Sequence, residues 1–174
     1  GKKVGFDGGL RGHKGSQYEG GHRVPFIMYW PDGNITGGKT VDNLLAHYDL
    51  LPTMVDLLGL RTPHTKPLDG KSFAPLLKDP NSEWENRILY VDTQRLQNLV
   101  KGRMYTVMDD QYRLVDGKEL YDIDNDLAQK NNVIQEHPEV AARLAVGYEK
   151  WWDSFDAPKL NSTYAYIKVG STYE

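Results

Sequence analysis

The stretch Gly12–Trp30, GHKGSQYEGGHRVPFIMYW, gathers most of the chemistry-bearing residues of this chain. Lys14 stands between Gly12 and, directly after it, Gly15, and glycines let a backbone pass close to a ligand. A lysine ammonium is a compact point charge, suited to a tetrahedral oxyanion approached from one side. The same pattern also describes a solvated loop lysine, the commoner case. Glu19 and Arg23 offer either an acid and an anion binder, or an ion pair that ties the loop to the segment after it. His13 adjoins Lys14 and could touch the same ligand. His13, His22 and His47 share no metal-ligand spacing, and each reads as an exposed or hydrogen-bonded histidine. Asp122–Asp126, DIDND, starts like a calcium loop but lacks the glycine after the third acid and the closing glutamate. It therefore reads as a strand end and turn. Asn34-Ile35-Thr36 and Asn161-Ser162-Thr163 match the glycosylation sequon, a pattern common by chance. The Trp151-Trp152 pair could stack on a sugar, although a helical aromatic stripe is more often core.

These residues need elements to position them. The chain has 174 residues, 39% hydrophobic and 26% charged, with formal net charge -3. That is the profile of a globular protein, long enough to bury one core and a small satellite unit. No basic stripe marks a nucleic-acid partner, and no run approaches the roughly 20 apolar residues of a membrane span. There is no Cys, so no disulfide and no thiolate nucleophile. Gly1–Gly21 reads as a long glycine-rich loop. A domain rarely begins in such a loop, which predicts that the chain is a piece of something longer. Val24–Trp30 reads as a buried strand, with Pro25 near its start. A turn-rich connector follows, and Asn43–Tyr48 reads as a second short strand. In DLLPTMVDLLGL, Asp49 is the expected N-cap, Pro52 fits the first turn and Gly59 the C-terminal stop. Leu51, Met54, Val55 and Leu58 form its expected buried face. Strand, connector, strand and helix fit the rim of an α/β sheet.

Arg61–Glu85 shifts to Pro, Lys, Asp and Asn and reads as a surface linker, with a helical turn at Phe73–Leu77. RILYVDT, RMYTVMDD, QYRLVDG and KELYDI then read as an antiparallel meander. HPEVAARLAVGYEKWWDSF is a helix with Pro138 at its first position and Glu139 at its positive end. Its stripe of Val140, Leu144, Tyr148, Trp151 and Phe155 is expected to lie across the meander. The tail after Pro158 reads as a loose strand or arm.

Taken in order, GHKGSQYEGGHRVPFIMYWP, AHYDLLPTMVDLLGL, LDGKSFAPLL, ELYDIDND and HPEVAARL resemble the C-terminal part of a sulfatase of the arylsulfatase type, in the alkaline-phosphatase-like superfamily. The resemblance runs to about Phe155. It implies an α/β fold: the edge of a large sheet domain, then a small α+β domain with a four-stranded antiparallel sheet and a C-terminal helix. The implied divisions are 1–60 for the end of the catalytic domain, 61–85 for the linker, 86–156 for the small domain and 157–174 for the tail. The implied reaction is sulfate-ester hydrolysis through a formylglycine nucleophile and a calcium ion. The implied role of Lys14 is contact with the sulfate oxygens, on a loop supported by Tyr18, Glu19, Gly20, Gly21 and Arg23, with His13 as pocket neighbour. The formylglycine arises in a C/S-x-P-x-R motif, and none of Ser16, Ser72, Ser82, Ser154, Ser162 or Ser171 begins one. The nucleophile and the calcium ligands are thus expected upstream, with Asp7 a weak candidate ligand and no metal or cofactor held by this piece. The piece alone is expected to be inactive, with the Gly1–Gly21 loop mobile or displaced and Lys14 solvated. The family implies an exported protein (periplasmic, extracellular or lysosomal) and a sulfated small molecule or glycan as substrate. The alternatives are a phosphodiesterase or phosphonate hydrolase of the same superfamily, or a non-catalytic module binding a glycan or partner.

Overall fold

The computed structural model describes residues 6, 8–61, 67–94 and 99–163, with side chains to Leu160. The elements in chain order are α1 (Glu19–His22), α2 (Leu50–Leu58), α3 (Ala74–Lys78), β1 (Leu89–Asp92), β2 (Tyr105–Met108), β3 (Tyr112–Val115), β4 (Glu119–Asp122), α4 (Pro138–Asp153) and α5 (Ala157–Thr163). Two compact units emerge. One joins the chain up to Arg23 with everything from Tyr90 on, and the other is Val24–Leu89. The expected divisions are 1–60, 61–85, 86–156 and 157–174; the glycine-rich loop falls in the same unit as the distant sheet because it is bonded to it.

The first unit is built on the meander. The four strands lie in the order β1-β2-β3-β4. Met108 pairs with Arg113 and Thr106 with Val115, while Arg113 pairs with Tyr121 and Val115 with Glu119. Side chains alternate along a strand, so this register sorts them onto two faces. Tyr105, Val107, Leu114 and Leu120 share one face. Thr106, Met108, Arg113, Val115, Glu119 and Tyr121 share the other. The turn between β3 and β4 is Asp116-Gly117, both with positive φ, closed by the Lys118 N–H donating to the Val115 carbonyl at 2.9 Å. Such a turn matches the twist of a tight hairpin.

Helix α4 covers the first face, against β2 and β3. Tyr148 stacks on Tyr105 with ring centroids 3.7 Å apart, and Trp151 stacks on Tyr90 at 5.2 Å. The buried side chains of α4 are Ala141, Leu144, Tyr148 and Trp152. The expected stripe therefore holds at Leu144 and Tyr148 but moves at its end. Trp152, four residues beyond Tyr148, continues the buried row, while Val140, Trp151 and Phe155 flank it half-buried. The tail opens as helix α5, not as a strand, and residues from 164 on lie outside the described ones.

In the second unit, Phe73, Leu76 and Ile35 are buried, and Phe26 meets Phe73 edge-on at 5.7 Å. The expected surface linker thus contributes core residues, through α3. The two expected strands are absent. Val24–Tyr29 forms no strand and has no ladder partner among the described residues, where only Trp30 forms a bridge, to Ile35 across the Pro31–Gly33 turn. Asn43–Tyr48 runs into a short 3-10 turn at His47–Asp49. An apolar run becomes a strand only beside another strand. The face of α2 also differs from expectation. Thr53 is buried, while Leu51, Met54 and Leu58 are exposed. Asp49 precedes α2 without a side-chain cap bond to it. Its fully buried carboxylate instead accepts hydrogen bonds from the Ala46 and Lys71 N–H groups and pairs with Arg87. Burial would raise the pKa of Asp49, but these donors bring it below the usual carboxylate value.

Candidate functional site

Lys14 sits at the corner of a tight turn. The Ser16 N–H donates to the His13 carbonyl at 2.9 Å, and the His13 N–H donates back to Ser16 Oγ at 3.1 Å. Gly15 takes φ +86°, the left-handed value this corner requires and side-chain residues resist. The Lys14 and His13 side chains are exposed. The loop then folds back on itself. A Cβ on Gly21 would lie 2.1 Å from the Ser16 carbonyl oxygen, so only glycine admits this approach. One helical turn, α1, follows, and the Gly20 N–H reaches the Arg11 carbonyl at 2.8 Å.

The loop rests on the second face of the sheet, opposite α4. Arg11 lies before Lys14 and donates to Tyr121, to Tyr18 at 2.9 Å and to the Gln129 carbonyl at 3.3 Å. Its guanidinium carbon is 3.9 Å from the centre of the Tyr18 ring. The Tyr18 and Tyr121 hydroxyls both donate to Glu119 Oε2 at 2.9 Å. Burial, then the Glu119 carboxylate, pushes the Tyr121 pKa up to about 12, so the phenol keeps its proton to donate. The Gln17 carbonyl accepts from Thr106, and its amide donates to Asp116 Oδ2 at 3.1 Å. The loop is therefore held to the sheet, not displaced from it as expected. Lys14 is solvated, as expected.

Glu19 lies after Lys14 and is 2% exposed. Its carboxylate meets three basic groups. Arg113 Nε donates at 2.9 Å, Arg23 Nη1 donates at 2.9 Å, and His22 Nε2 lies 3.2 Å away. Burial alone would raise its pKa. The His22 contact, the Arg113 charge and the hydrogen bonds from Arg23 and Arg113 overcome this and hold it at about 2. Of the two sequence readings of Glu19 and Arg23, the structure gives the ion pair, and it adds a second arginine from β3. The Glu19 N–H donates to Gln129 Oε1 at 2.7 Å.

Tyr18, Glu19, Gly20, Gly21 and Arg23 follow the turn that carries Lys14, and His13 precedes it. Arg11 and Gln17 from the same loop, and Thr106, Arg113, Glu119, Tyr121 and Gln129 from farther along the chain, bond within or to this loop and escaped the sequence reading. Their one signal is that Thr106, Arg113 and Glu119 are polar residues of the strands at positions sharing a face. Asp7 lies outside the described residues. Asp122 caps its own turn, accepting from the Asp124 N–H at 3.1 Å and Asn125 Nδ2 at 2.8 Å. Among the described residues no three His, Asp or Glu side chains gather to hold a metal ion.

Residues 13–149 match the family model described as N-sulphoglucosamine sulphohydrolase, C-terminal. The chain is 33% identical over 145 residues to a sulfatase of Formosa agariphila, covering 74% of this chain and 26% of that protein. It is 33% identical over 86 residues to the steryl-sulfatase of Homo sapiens, covering 49% and 15%. The crystal structure of Ps i-CgsB superposes with TM-score 0.69 at 26% identity, covering 88% of this chain and 34% of that one. A solved protein from a glycosaminoglycan-metabolism locus of Bacteroides thetaiotaomicron gives TM-score 0.63 at 27% identity, covering 82% and 32%. The chain spans about a quarter of the length of the Formosa agariphila relative.

Proposed function

Because the chain belongs to the sulfatase family, we propose that it is the C-terminal portion of an enzyme that hydrolyses sulfate esters and that Lys14 is its contact to the sulfate oxygens. The observation that carries this reading is an exposed ammonium at a turn corner whose two flanks are both bonded to a sheet. A cation carried on a backbone held in advance has less to reorganise as charge develops on the oxygens, and so it favours the transition state. Lys14 would bind and orient the sulfate group, while Arg11, Tyr18 and Glu19 fix the turn from which its side chain extends. The formylglycine nucleophile and the calcium ion implied by the family resemblance would come from other parts of the protein. The described residues offer no donor set that fits calcium.

The second unit supports the reading of a larger whole. Ile27 is 90% exposed, Val24 75% and Tyr29 71%, and α2 leaves Leu51, Met54 and Leu58 exposed as well. Such a surface is characteristic of an interface, and we assign it to the catalytic sheet of the complete enzyme. Among the described residues no helix is long and apolar enough to cross a membrane. The proposed substrate is a sulfated small molecule or glycan, met outside the cytoplasm.

The test is turnover of an aryl sulfate by the full-length enzyme. Lys14→Ala is expected to lower kcat about 100- to 1000-fold, the usual cost of one lost oxyanion contact. Its melting temperature should stay near that of the wild type, since an exposed turn residue contributes little to stability. Lys14→Arg should recover little, because a planar fork does not reproduce a point contact. Activity within about twofold of wild type for Lys14→Ala, well short of that cost, would sink the assignment.

A further inference from the structure

We propose that Glu19, Arg113 and Gln129 form a latch through which the C-terminal sheet sets the position of the Lys14 turn. This rests on the reading of Lys14 as the sulfate contact. Three observations carry it.

The first is placement. Gln129 grips the loop on both sides of Lys14: its carbonyl accepts from Arg11, and its side-chain oxygen accepts from the Glu19 N–H. The segment carrying Lys14 is thereby tied to one residue from both ends, through a side chain before it and a backbone N–H after it.

The second is strain. Gln129 is fully buried with φ +53°, in the left-handed region, and its Nε2 has no hydrogen-bond partner among the described residues. A glutamine in the left-handed region and a buried donor left unpaired both cost free energy. Backbone outliers of this kind persist where surrounding structure over-determines them and gather at functional sites.

The third is rigidity. Arg113 is not a free side chain reaching for Glu19. Its Nη1 donates to the Asp109 and Tyr112 carbonyls while its Nε donates to Glu19. The guanidinium is therefore fixed to β3 before it meets the loop, and it transmits the position of the strand. A misplacement of about 1 Å can cost about 100-fold in rate when the displaced group acts on the transition state.

In this scheme Glu19 and Gln129 are positioning residues that act through Lys14. The experiment is a double-mutant cycle in the full-length enzyme, with kcat and KM on an aryl sulfate read separately. Gln129→Asn is the first variant, because asparagine tolerates the left-handed backbone while its shorter arm cannot reach the Glu19 N–H. Glu19→Gln is the second, keeping shape and removing charge. Each is expected to lower kcat about tenfold or more with KM nearly unchanged. Neither should lower kcat further, beyond about twofold, once Lys14 is already alanine, since two groups acting as one unit are not additive. A companion measurement on the 174-residue chain follows amide hydrogen exchange. The Ser16 and Gly20 N–H groups should exchange faster in Gln129→Asn, while those of β2 and β3 keep their protection.

Two results would overturn the latch: kcat unchanged in both single variants, or an equal loss with and without Lys14. The second would mean that the cluster supports only the fold. If Gln129→Asn alone folds, the cycle is read on it. If Lys14→Ala itself leaves kcat unchanged, the sulfate-contact reading fails, and exchange at Ser16 and Gly20 then shows separately whether the mechanical coupling exists.

Discussion

Glu19 carries its charge where a lone carboxylate would be expelled. It remains ionised because an arginine from β3, an arginine from its own turn and a histidine surround it. Its folded pKa of about 2 lies below the unfolded value of roughly 4.3 for a glutamate. The unfolded chain therefore takes up a proton first as pH falls. The stabilisation is fully present above about pH 4.5 and is lost as pH falls through the folded value, with an upper bound of roughly 3 kcal/mol. Urea midpoints of the chain should fall steeply between about pH 4.5 and pH 2, and more shallowly in Glu19→Gln. Parallel slopes for the two proteins would show that Glu19 does not drive the acid response. At this scale the sequence was half legible. The order Lys14, Tyr18, Glu19, Gly20, Gly21, Arg23 named the loop, because the resemblance to the sulfatases rests on that run of close neighbours. Its partners were not legible. Arg113 lies 94 residues from Glu19, and Gln129 lies 110 residues away. Nothing local to a strand says which loop will cover it.

Helix α4 shows why element type is easier to read than element facing. Pro138 at its start and the aromatic spacing marked a helix, and the helix is there. Periodicity left two adjacent tryptophans to choose from, and the choice depends on the surface it packs against. Tyr148 stacks on Tyr105, and the row one turn further on ends at Trp152. Trp152→Ala should therefore cost about 3–5 kcal/mol, as for a buried aromatic, and Trp151→Ala clearly less, since Trp151 is only half-buried beside Tyr90. Denaturant midpoints of the two variants decide it. Equal losses, or a larger loss at Trp151, would restore the stripe read from the sequence. The strands expected at Val24–Trp30 and Asn43–Tyr48 fail for a related reason. Their apolar runs record burial against something, but among the described residues they have no ladder to join.

For the whole molecule, that unanswered burial becomes a measurable property. A chain that leaves Val24, Ile27, Tyr29, Leu51 and Leu58 in water should bind a hydrophobic dye and self-associate as its concentration rises. Ile27→Lys should weaken both effects without lowering the melting temperature, because the side chain it replaces packs on little. A monodisperse chain that ignores the dye would contradict the interface assigned to this surface. The topology of the first unit has a further consequence, in time. Its loop is made early in synthesis and the strands that hold it are made late, with a whole second unit emerging between them. The Glu19 N–H has no acceptor until Gln129, 110 residues later, has left the ribosome. Contacts that distant in sequence form slowly, because the entropy of closing the intervening chain comes before any reward. A nascent protein stalled ahead of residue 119 would carry the lysine but lack both Glu119 and Gln129 to set it in place. The anchors of this loop are thereby withheld until synthesis has passed Gln129.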